Sequence, residues 1–440
     1  MAGGNGQRSW VSELRNQVAS VMAERVRAEE ASAGRPVPLA RKRALVEELV
    51  EDALERRARQ ALAAGRAVLG AADESAVVRD VIDALFGMAG LQPLLDDQSI
   101  ENINANGCDR VFVRYADGRR AQMPPIAGSD IEMVELIRSM GARAGPEERR
   151  FDRANPRLNL QLPDGSRLFA AMDVTARPVL SIRRHRFLTA DLDQLRAMGM
   201  VDAVLVSFLA AAVRARLNIL IAGGVAMGKT TALRALASAI PPHERLITIE
   251  DAYELGLDRD TQRHPDVVPM QAREPNVEGE GEITQADLVR WALRMAPDRV
   301  IVGEIRGPEV IPVCNAMSQG NDGSMATIHA SSSRGVFAKL AAYAIQGPER
   351  LPVEATALLV ASAVNLIVHL AWSTDGRRVV SSIREVIDAE GPQVISNEIF
   401  RPRTDRRGVY GVPMRSETLA ALEAHGLDPE LLRRPGWGEL

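Results

Sequence analysis

Residues 217–236 read LNILIAGGVAMGKTTALRAL, and this stretch constrains the fold more than any other part of the chain. An apolar run leads into glycines, and a helical pattern follows them. Gly223, Gly228, Lys229 and Thr230 fit the phosphate-loop pattern G-x-x-x-x-G-K-[ST] in the strand–loop–helix context that the pattern requires. Glycines let backbone N–H groups converge on phosphate oxygens, and the amino end of the helix adds a favourable dipole. The stretch therefore predicts a nucleotide-binding α/β domain.

The whole loop is expected to contact the nucleotide. The predicted nucleotide-binding residues here are Gly223, Gly224, Val225, Ala226, Met227, Gly228, Lys229, Thr230 and Thr231. Lys229 is expected to reach the β- and γ-phosphates of ATP, and the Thr230 hydroxyl is expected to bind Mg²⁺. Lysine is rare in this arginine-rich chain, so composition alone does not explain a lysine inside the loop, and its presence strengthens the match to the phosphate-loop pattern.

Composition narrows the class of protein. The chain has 440 residues, of which 46% are apolar and 25% charged, as in soluble proteins with two or more domains. A net charge of −4 and 4% aromatic residues argue against a nucleic-acid partner. The two cysteines lack metal-binding spacing, and no secretory signal is visible at the amino terminus. The most apolar window, residues 355–372, is predicted to be a buried helix followed by a strand and not a membrane span.

Sequence texture divides the chain into four predicted segments. Residues 1–75 are rich in Arg, Glu and Ala and predict an exposed helical extension. Residues 76–187 have short alternating strands with Asn-Gly and Asp-Gly turns, which is typical of a smaller α+β domain. Residues 188–400 alternate apolar strands with helices, which predicts a doubly wound, mostly parallel sheet that ends in a hairpin. Residues 401–440 are polar and are interpreted as a tail.

Three further predicted strands of this α/β domain end in titratable residues. LITIEDAYEL places Glu250 and Asp251 at a strand end, where one carboxylate could position an attacking water. DRVIVGEIRGPE ends in Glu304, expected to lie on the strand beside the P-loop strand and to help hold Mg²⁺. GSMATIHA ends in His329. Each alone could be an ordinary solvated or strand-end residue, but their occurrence in series after the P-loop indicates an active site.

These motifs together carry a resemblance to a known family. GKTT, TIEDAYEL, LVRWALRMAPDRVIVGEIRGPE and DGSMATIHASS resemble the type II/IV secretion-system ATPases, most closely the CpaF-like branch that drives tight-adherence (Flp) pilus assembly. The resemblance covers roughly residues 85–400 and includes LPDGSR and LSIRRHRF. It implies a RecA-like P-loop domain behind the α+β domain, with ATP and Mg²⁺ as ligands.

The resemblance also implies roles for individual residues. Glu250 matches the general base for water, Glu304 matches the atypical Walker B glutamate that contributes to the Mg²⁺ site, and His329 matches a γ-phosphate sensor. Arg273 is a candidate catalytic finger. In the family, a basic linker segment reaches the nucleotide or the neighbouring subunit. Its arginines match Arg183, Arg184 and Arg186 of this chain.

At the level of the whole protein, the resemblance implies a cytoplasmic hexameric ring at the inner face of the plasma membrane. The ring would drive pilus assembly or protein secretion through an inner-membrane platform protein. Two alternatives remain: a nucleotide-binding ring component with little hydrolysis, and a nucleic-acid translocase on a related fold.

The sequence departs from the family pattern at several positions. Val225, Ala226 and Met227 replace a stretch that resembles Thr-Gly-Ser in the family. Asn321 stands where the family has a histidine, and Ala296 where the branch has an arginine. If position 226 requires a positive φ, alanine there costs roughly 1 kcal/mol or more. These departures predict a slow enzyme rather than a loss of nucleotide binding.

Overall fold

A computed structural model describes residues 4–33, 37, 39–65, 67–85, 89–115, 118–143, 150–162, 164–184, 190–273, 275, 279–434 and 436–437. The chain forms two compact units, Met1–Arg186 and Phe187–Leu440.

The first unit begins with three helices that share a small core. They are α1 (Gly4–Ala33), α2 (Leu39–Ala63) and α3 (Ala71–Leu85). Val46, Val50 and Val81 are fully buried among them. The structure differs from the predicted exposed extension in two ways. The third helix continues past the predicted boundary at residue 75, and the apolar faces of the three helices pack against one another. Helical periodicity reveals such a face but not the helix that covers it.

A six-stranded antiparallel sheet forms the rest of this unit. Its strands are β1 (Ile100–Asn106), β2 (Val111–Tyr115), β3 (Arg120–Met123), β4 (Arg157–Gln161), β5 (Arg167–Ala171) and β6 (Val179–Arg183), in the order β3-β2-β1-β6-β5-β4. The helices α4 (Gln92–Asp96) and α5 (Asp130–Arg143) accompany the sheet. The predicted Asn-Gly turn joins β1 to β2, and Gly107 there has a φ of +84° that favours glycine.

A nine-stranded sheet forms the centre of the second unit. Its strands are β7 (Ile219–Gly223), β8 (Leu246–Glu250), β9 (Val267–Gln271), β10 (Arg299–Ile305), β11 (Met325–His329), β12 (Leu366–Trp372), β13 (Arg378–Glu390), β14 (Gln393–Pro402) and β15 (Gly408–Tyr410). The order is β15-β14-β13-β12-β7-β11-β10-β8-β9. The pairs from β12 to β9 are parallel and those from β12 to β15 are antiparallel.

Helices cover both faces of this sheet. They are α6 (Leu192–Ala197), α7 (Ala203–Arg214), α8 (Lys229–Ala237), α9 (Gln285–Ala292), α10 (Val310–Ser318), α11 (Gly335–Gln346), α12 (Val353–Ala363), α13 (Ser416–Ala424) and α14 (Pro429–Leu432). Ile219 and Ile221 of β7 enter the core with α6, α7 and α8, while Leu220 and Ala222 enter the core with α9 to α12. Burial on both faces explains the unbroken apolar run that precedes the P-loop.

The end of the chain belongs to the second unit. β14 and β15 extend the central sheet beyond residue 400, and Leu422, Leu427 and Leu432 are buried in the same core as α7 and α8. The segment interpreted as a polar tail therefore packs as part of the domain. The apolar residues of this segment are widely spaced among polar ones, so its composition does not indicate that they are part of the hydrophobic core.

The most apolar window of the sequence forms α12 followed by β12, as its periodicity predicts. β12 lies inside the sheet between β7 and β13. Among the described helices, none combines the length and apolar character needed to cross a bilayer.

Candidate functional site

The phosphate loop joins β7 to α8 at the carboxyl edge of the sheet. β7 ends at Gly223 and α8 begins at Lys229, with Gly228 as its N-cap at a φ of +85°. A Cβ added at Gly223 would lie 3.1 Å from the carbonyl oxygen of Leu370 on β12. Glycine is therefore favoured at position 223 because space is tight, and at position 228 because of its backbone conformation.

The three residues in the middle of the loop face different surroundings. The Val225 side chain is 80% exposed, whereas Met227 is only 9% exposed and joins the core with α7 and α8. Ala226 has a φ of +60°, which is the left-handed conformation that disfavours alanine. Only the backbone of Met227, and not its side chain, is therefore available to a nucleotide, and Ala226 is strained as the sequence suggested.

Lys229 lies at the base of the loop with its side chain 8% exposed. Its Nζ donates to the carbonyl oxygens of Gly223 (3.3 Å) and Gly224 (3.0 Å). The same Nζ lies 3.1 Å from Nδ1 of His329 and 3.7 Å from Oε1 of Glu304. A buried ammonium group needs such partners because leaving it unpaired costs several kcal/mol. Thr230 and Thr231 follow it, half-buried, in the first turn of α8.

His329 bridges the lysine and the glutamate. Its Nε2 lies 2.7 Å from Oε1 of Glu304. Burial lowers the pKa of His329, and the Glu304 carboxylate opposes that shift. A neutral ring satisfies both contacts when Nε2–H donates to Glu304 and Nδ1 accepts from Lys229.

Arg306 and Gln285, which the sequence analysis did not assign, extend this cluster through Asp251. Arg306 donates from Nε to Glu304 and from Nη1 to Oδ2 of Asp251 (2.6 Å). Asp251 also accepts from the amide of Gln285. Arg306 could have been found from the sequence, because residues two apart at a strand end project to the same side.

Glu250 occupies a separate, buried position behind the loop that follows β8. It is 3% exposed, and its Oε2 accepts from the backbone N–H groups of Glu254 (2.7 Å) and Leu255 (2.8 Å). Burial raises the pKa of Glu250 to about 7, although these two hydrogen bonds act to lower it. A Cβ at Gly303 would come within 3.1 Å of the Glu250 Cγ, so the glycine on β10 makes room for this side chain.

A buried arginine on the P-loop helix supports the same loop. Arg234 on α8 donates from Nε to the carbonyl oxygen of Leu255 (2.8 Å), whose N–H binds Glu250. The positive charge of Arg234 also acts to lower the pKa of Glu250. The helix that begins at Lys229 thus helps to hold the Glu250 carboxylate in place.

The strand order corrects one prediction. Glu304 was expected on the strand beside the P-loop strand, but β11 lies between β7 and β10. His329 at the end of β11 consequently stands between Lys229 and Glu304. The order of strands depends on which of them pair, and no local sequence pattern reports that.

The predicted arginines lie elsewhere. Arg273 follows the edge strand β9, which three strands separate from β7, and its Nε donates to the Gly281 carbonyl oxygen (2.7 Å). Arg183 is exposed at the end of β6 in the first unit. Arg184 donates to the carbonyl oxygen of Asp97 in that same unit. Arg186 lies outside the described residues. Lys229, Glu304 and His329 are thus the predicted residues that the structure brings together.

Comparison with known proteins identifies the family. The family model for type II/IV secretion system proteins matches residues 86–419, which is more than half of the chain. The chain belongs to the type II/IV secretion system protein family. This family places it among the P-loop ATP hydrolases, in agreement with the loop described above.

Individual relatives agree with this assignment. A Mycobacterium tuberculosis (strain H37Rv) protein whose name assigns it to conjugal transfer is 36% identical over 333 residues, covering 74% of this chain and 91% of that one. The type IV secretion system protein VirB11 of Brucella suis is 29% identical over 333 residues, covering 68% and 88%. The structure of the Legionella pneumophila ATPase DotB is similar with a TM-score of 0.50 and 18% identity, covering 80% of this chain and 89% of that one. That likeness shows the RecA-like fold.

Two departures from the pattern of this ATPase family lie far from the phosphate loop. Asn321 precedes β11 and donates from its amide to the carbonyl oxygen of Pro297, just before β10. Ala296 lies in the same region with a φ of +50°. Both are at the amino edge of the sheet, opposite Lys229. The proposal that Asn321 slows the reaction directly therefore finds no support in its position.

Replacing Ala226 with glycine is expected to raise kcat severalfold with little change in ATP affinity. The expectation assumes that the strain is relieved in the ATP-bound ground state and not in the transition state, where about 1 kcal/mol corresponds to roughly fivefold in rate. Steady-state kinetics on Ala226→Gly would measure it. Ala296→Gly is the matched control, since it removes a positive-φ alanine at the opposite edge and should leave kcat unchanged. An unchanged rate in Ala226→Gly would show that the loop strain does not limit turnover.

The rate should depend on the ionisation of Glu250. If Glu250 is the general base, as the resemblance implies, it must act as its carboxylate. Because burial raises its pKa to about 7, kcat/KM should then fall as the pH drops through about 7 and level off above it. With Mg²⁺ in excess, Glu250→Gln should remove this pH limb and slow turnover by about 10²- to 10⁴-fold. Asp251→Asn, one residue away, should keep the limb. A Glu250→Gln enzyme with the wild-type pH profile would rule out this role.

Proposed function

We propose that this ATPase is a motor that hydrolyses ATP to ADP and phosphate to drive pilus assembly or protein secretion. The observation that carries the proposal is the cluster of Lys229, His329 and Glu304 at the carboxyl ends of β7, β11 and β10. These side chains meet beside the glycine-containing loop that joins β7 to α8. Such an edge is where open α/β sheets bind ligands.

The proposed substrate is ATP with Mg²⁺. Lys229 supplies the positive charge for the β- and γ-phosphates, and residues 224–228 supply backbone N–H groups. The Thr230 hydroxyl and the Glu304 carboxylate are hard oxygen donors of the kind Mg²⁺ prefers, so the residues present fit this ion. Bound Mg²⁺ would offset charge on the phosphates.

The remaining residues are assigned to the hydrolytic step. Glu250 is the proposed base that takes a proton from the attacking water, in keeping with its burial and raised pKa. His329 is the proposed sensor of the γ-phosphate, since its ring already contacts both Lys229 and Glu304. Arg273 is proposed to act on the nucleotide of a neighbouring subunit, because it follows the edge strand β9.

Lys229→Ala should lower kcat for ATP hydrolysis by at least about 10²-fold while leaving the circular dichroism spectrum unchanged. The reason is the loss of the positive charge that stabilises the phosphates in the transition state. Phosphate release by purified protein would measure it, with Lys42→Ala on α2 of the first unit as the control. Unchanged turnover in Lys229→Ala would contradict the assignment of this loop as the active site.

A ring component that binds ATP without hydrolysing it is the second candidate. The strained φ of Ala226 favours it to the extent that strain slows turnover. Wild-type protein that binds ATP but shows the same background phosphate release as Lys229→Ala would establish this candidate and exclude the motor.

We also propose that the active form is a homohexameric ring. Charge that develops on the γ-phosphate needs arginines in addition to Arg306, which contacts Glu304 here, and a neighbouring subunit can provide them. Light scattering with a non-hydrolysable ATP analogue should give about six times the 47.7 kDa mass of one chain. Specific activity should rise with protein concentration. A monomer with full activity would refute the ring.

The proposed pathway rests on the resemblance to the CpaF-like branch. We propose that the ring works in the cytoplasm at the inner face of the plasma membrane and acts on an inner-membrane platform protein. Deletion of the gene should abolish piliation or secretion, and a copy carrying Lys229→Ala should fail to restore it. Restoration by that inactive copy would separate the pathway role from ATP hydrolysis.

A further inference from the structure

A second histidine flanks the P-loop strand on the side away from His329. β7 pairs with β11 on one side and with β12 on the other. In these registers His329 lies opposite Gly223, and His369 of β12 lies opposite Ala222. The two histidines therefore stand at neighbouring levels on either side of the strand that leads into the phosphate loop.

His369 contacts the chain that directly follows His329. Its side chain is 8% exposed, and backbone polar groups of Ala330 and Ser331 lie close enough to its ring to raise its pKa. A buried ring that holds the next two residues restricts the backbone from which the His329 ring projects. Burial lowers the pKa of His369, and its polar contacts with the backbone of Ala330 and Ser331 oppose that shift.

A buried hydroxyl pair holds the same segment at a second point. Ser333 and Ser382 are both buried, and their Oγ atoms lie 2.8 Å apart. Ser382 Oγ also donates to the Glu398 carboxylate, and Glu398 pairs with Arg384 at 3.5 Å. Ser382 is the residue of β13 that lies opposite His369. Strands β12, β13 and β14 each contribute a side chain to this anchoring cluster of His369, Ser333, Ser382, Arg384 and Glu398.

We propose that this anchoring cluster positions His329 against Lys229 and Glu304, with His369 and Ser382 as positioning residues. The antiparallel extension of the sheet thereby becomes part of the catalytic apparatus, and its side chains act without touching the nucleotide. The proposal rests on the sensor role of His329 proposed above. The position of the His329 ring matters because a shift of about 1 Å in a reacting group can cost on the order of 10²-fold in rate.

The first test compares two neighbouring serines of β13. Ser382→Ala should lower kcat by roughly five- to tenfold with little change in the KM for ATP, since a positioning defect acts mainly in the transition state. Ser381 is equally buried but lies outside the anchoring cluster, so Ser381→Ala controls for the loss of a buried hydroxyl. Equal kcat in the two variants would overturn the proposal. Thermal unfolding checks that both remain folded.

His369 gives an independent variant of the same test. His369→Ala should lower kcat by about tenfold, and His369→Asn or His369→Gln should restore part of the loss by replacing one ring nitrogen with an amide. If neither amide improves on alanine although both variants are folded, the polar contacts of His369 with Ala330 and Ser331 are not what matters, and that part of the proposal falls.

A double-mutant cycle separates positioning from mere structural support. Ser382→Ala should slow single-turnover hydrolysis of radiolabelled ATP in the wild-type background but have no further effect when His329→Ala is present, because the residues act through one group. An equal loss in both backgrounds would show that Ser382 acts elsewhere and would overturn the inference. Wild-type turnover in His329→Ala alone would instead contradict the sensor role, which distinguishes failure of the proposed function from failure of this inference.

Discussion

The buried ammonium group of Lys229 is the charge on which the arrangement of the site depends. A cation removed from water must be surrounded by acceptors, and here they come from two loop carbonyls, a histidine ring and a carboxylate. Each acceptor sits at the end of β7, β11 or β10 or in the loop that leaves β7, so the sheet must hold these three strands in register. Phosphate oxygens would compete for the same ammonium group, which is how nucleotide binding can be transmitted to His329 and Glu304.

The two carboxylates at the end of β8 show how one backbone step separates two chemical environments. Successive side chains of a strand point to opposite faces. Glu250 consequently turns into the loop behind the strand, where burial raises its pKa, while Asp251 is partly exposed and pairs with Arg306. A raised pKa suits proton transfer near neutral pH, whereas an ion pair with arginine suits the orientation of charged groups.

The phosphate loop shows which departures from a pattern matter. Val225 is exposed, and Met227 fills the core, so replacing that methionine with serine would leave a cavity rather than improve a phosphate contact. Ala226 alone has a backbone conformation that its side chain opposes. Three neighbouring substitutions in one motif can thus have three different effects: one is exposed, one fills the core and one strains the backbone. The direction of the side chain and the value of φ decide which effect applies.

The sequence by itself determined the local parts of this protein: the strand–loop–helix of Gly223 to Thr231, the buried character of β7, the helix and strand of residues 355–372, and the family. These depend on periodicity and on glycine and lysine at fixed spacing, which act over a few residues. Only the tertiary structure decided that β11 separates β7 from β10, that Arg306 joins Glu304 to Asp251, that Asn321 lies at the far edge of the sheet, and that residues beyond 400 complete the core. The physical reason is that strand pairing and burial are set by partners tens to hundreds of residues away, whose identity no local pattern encodes.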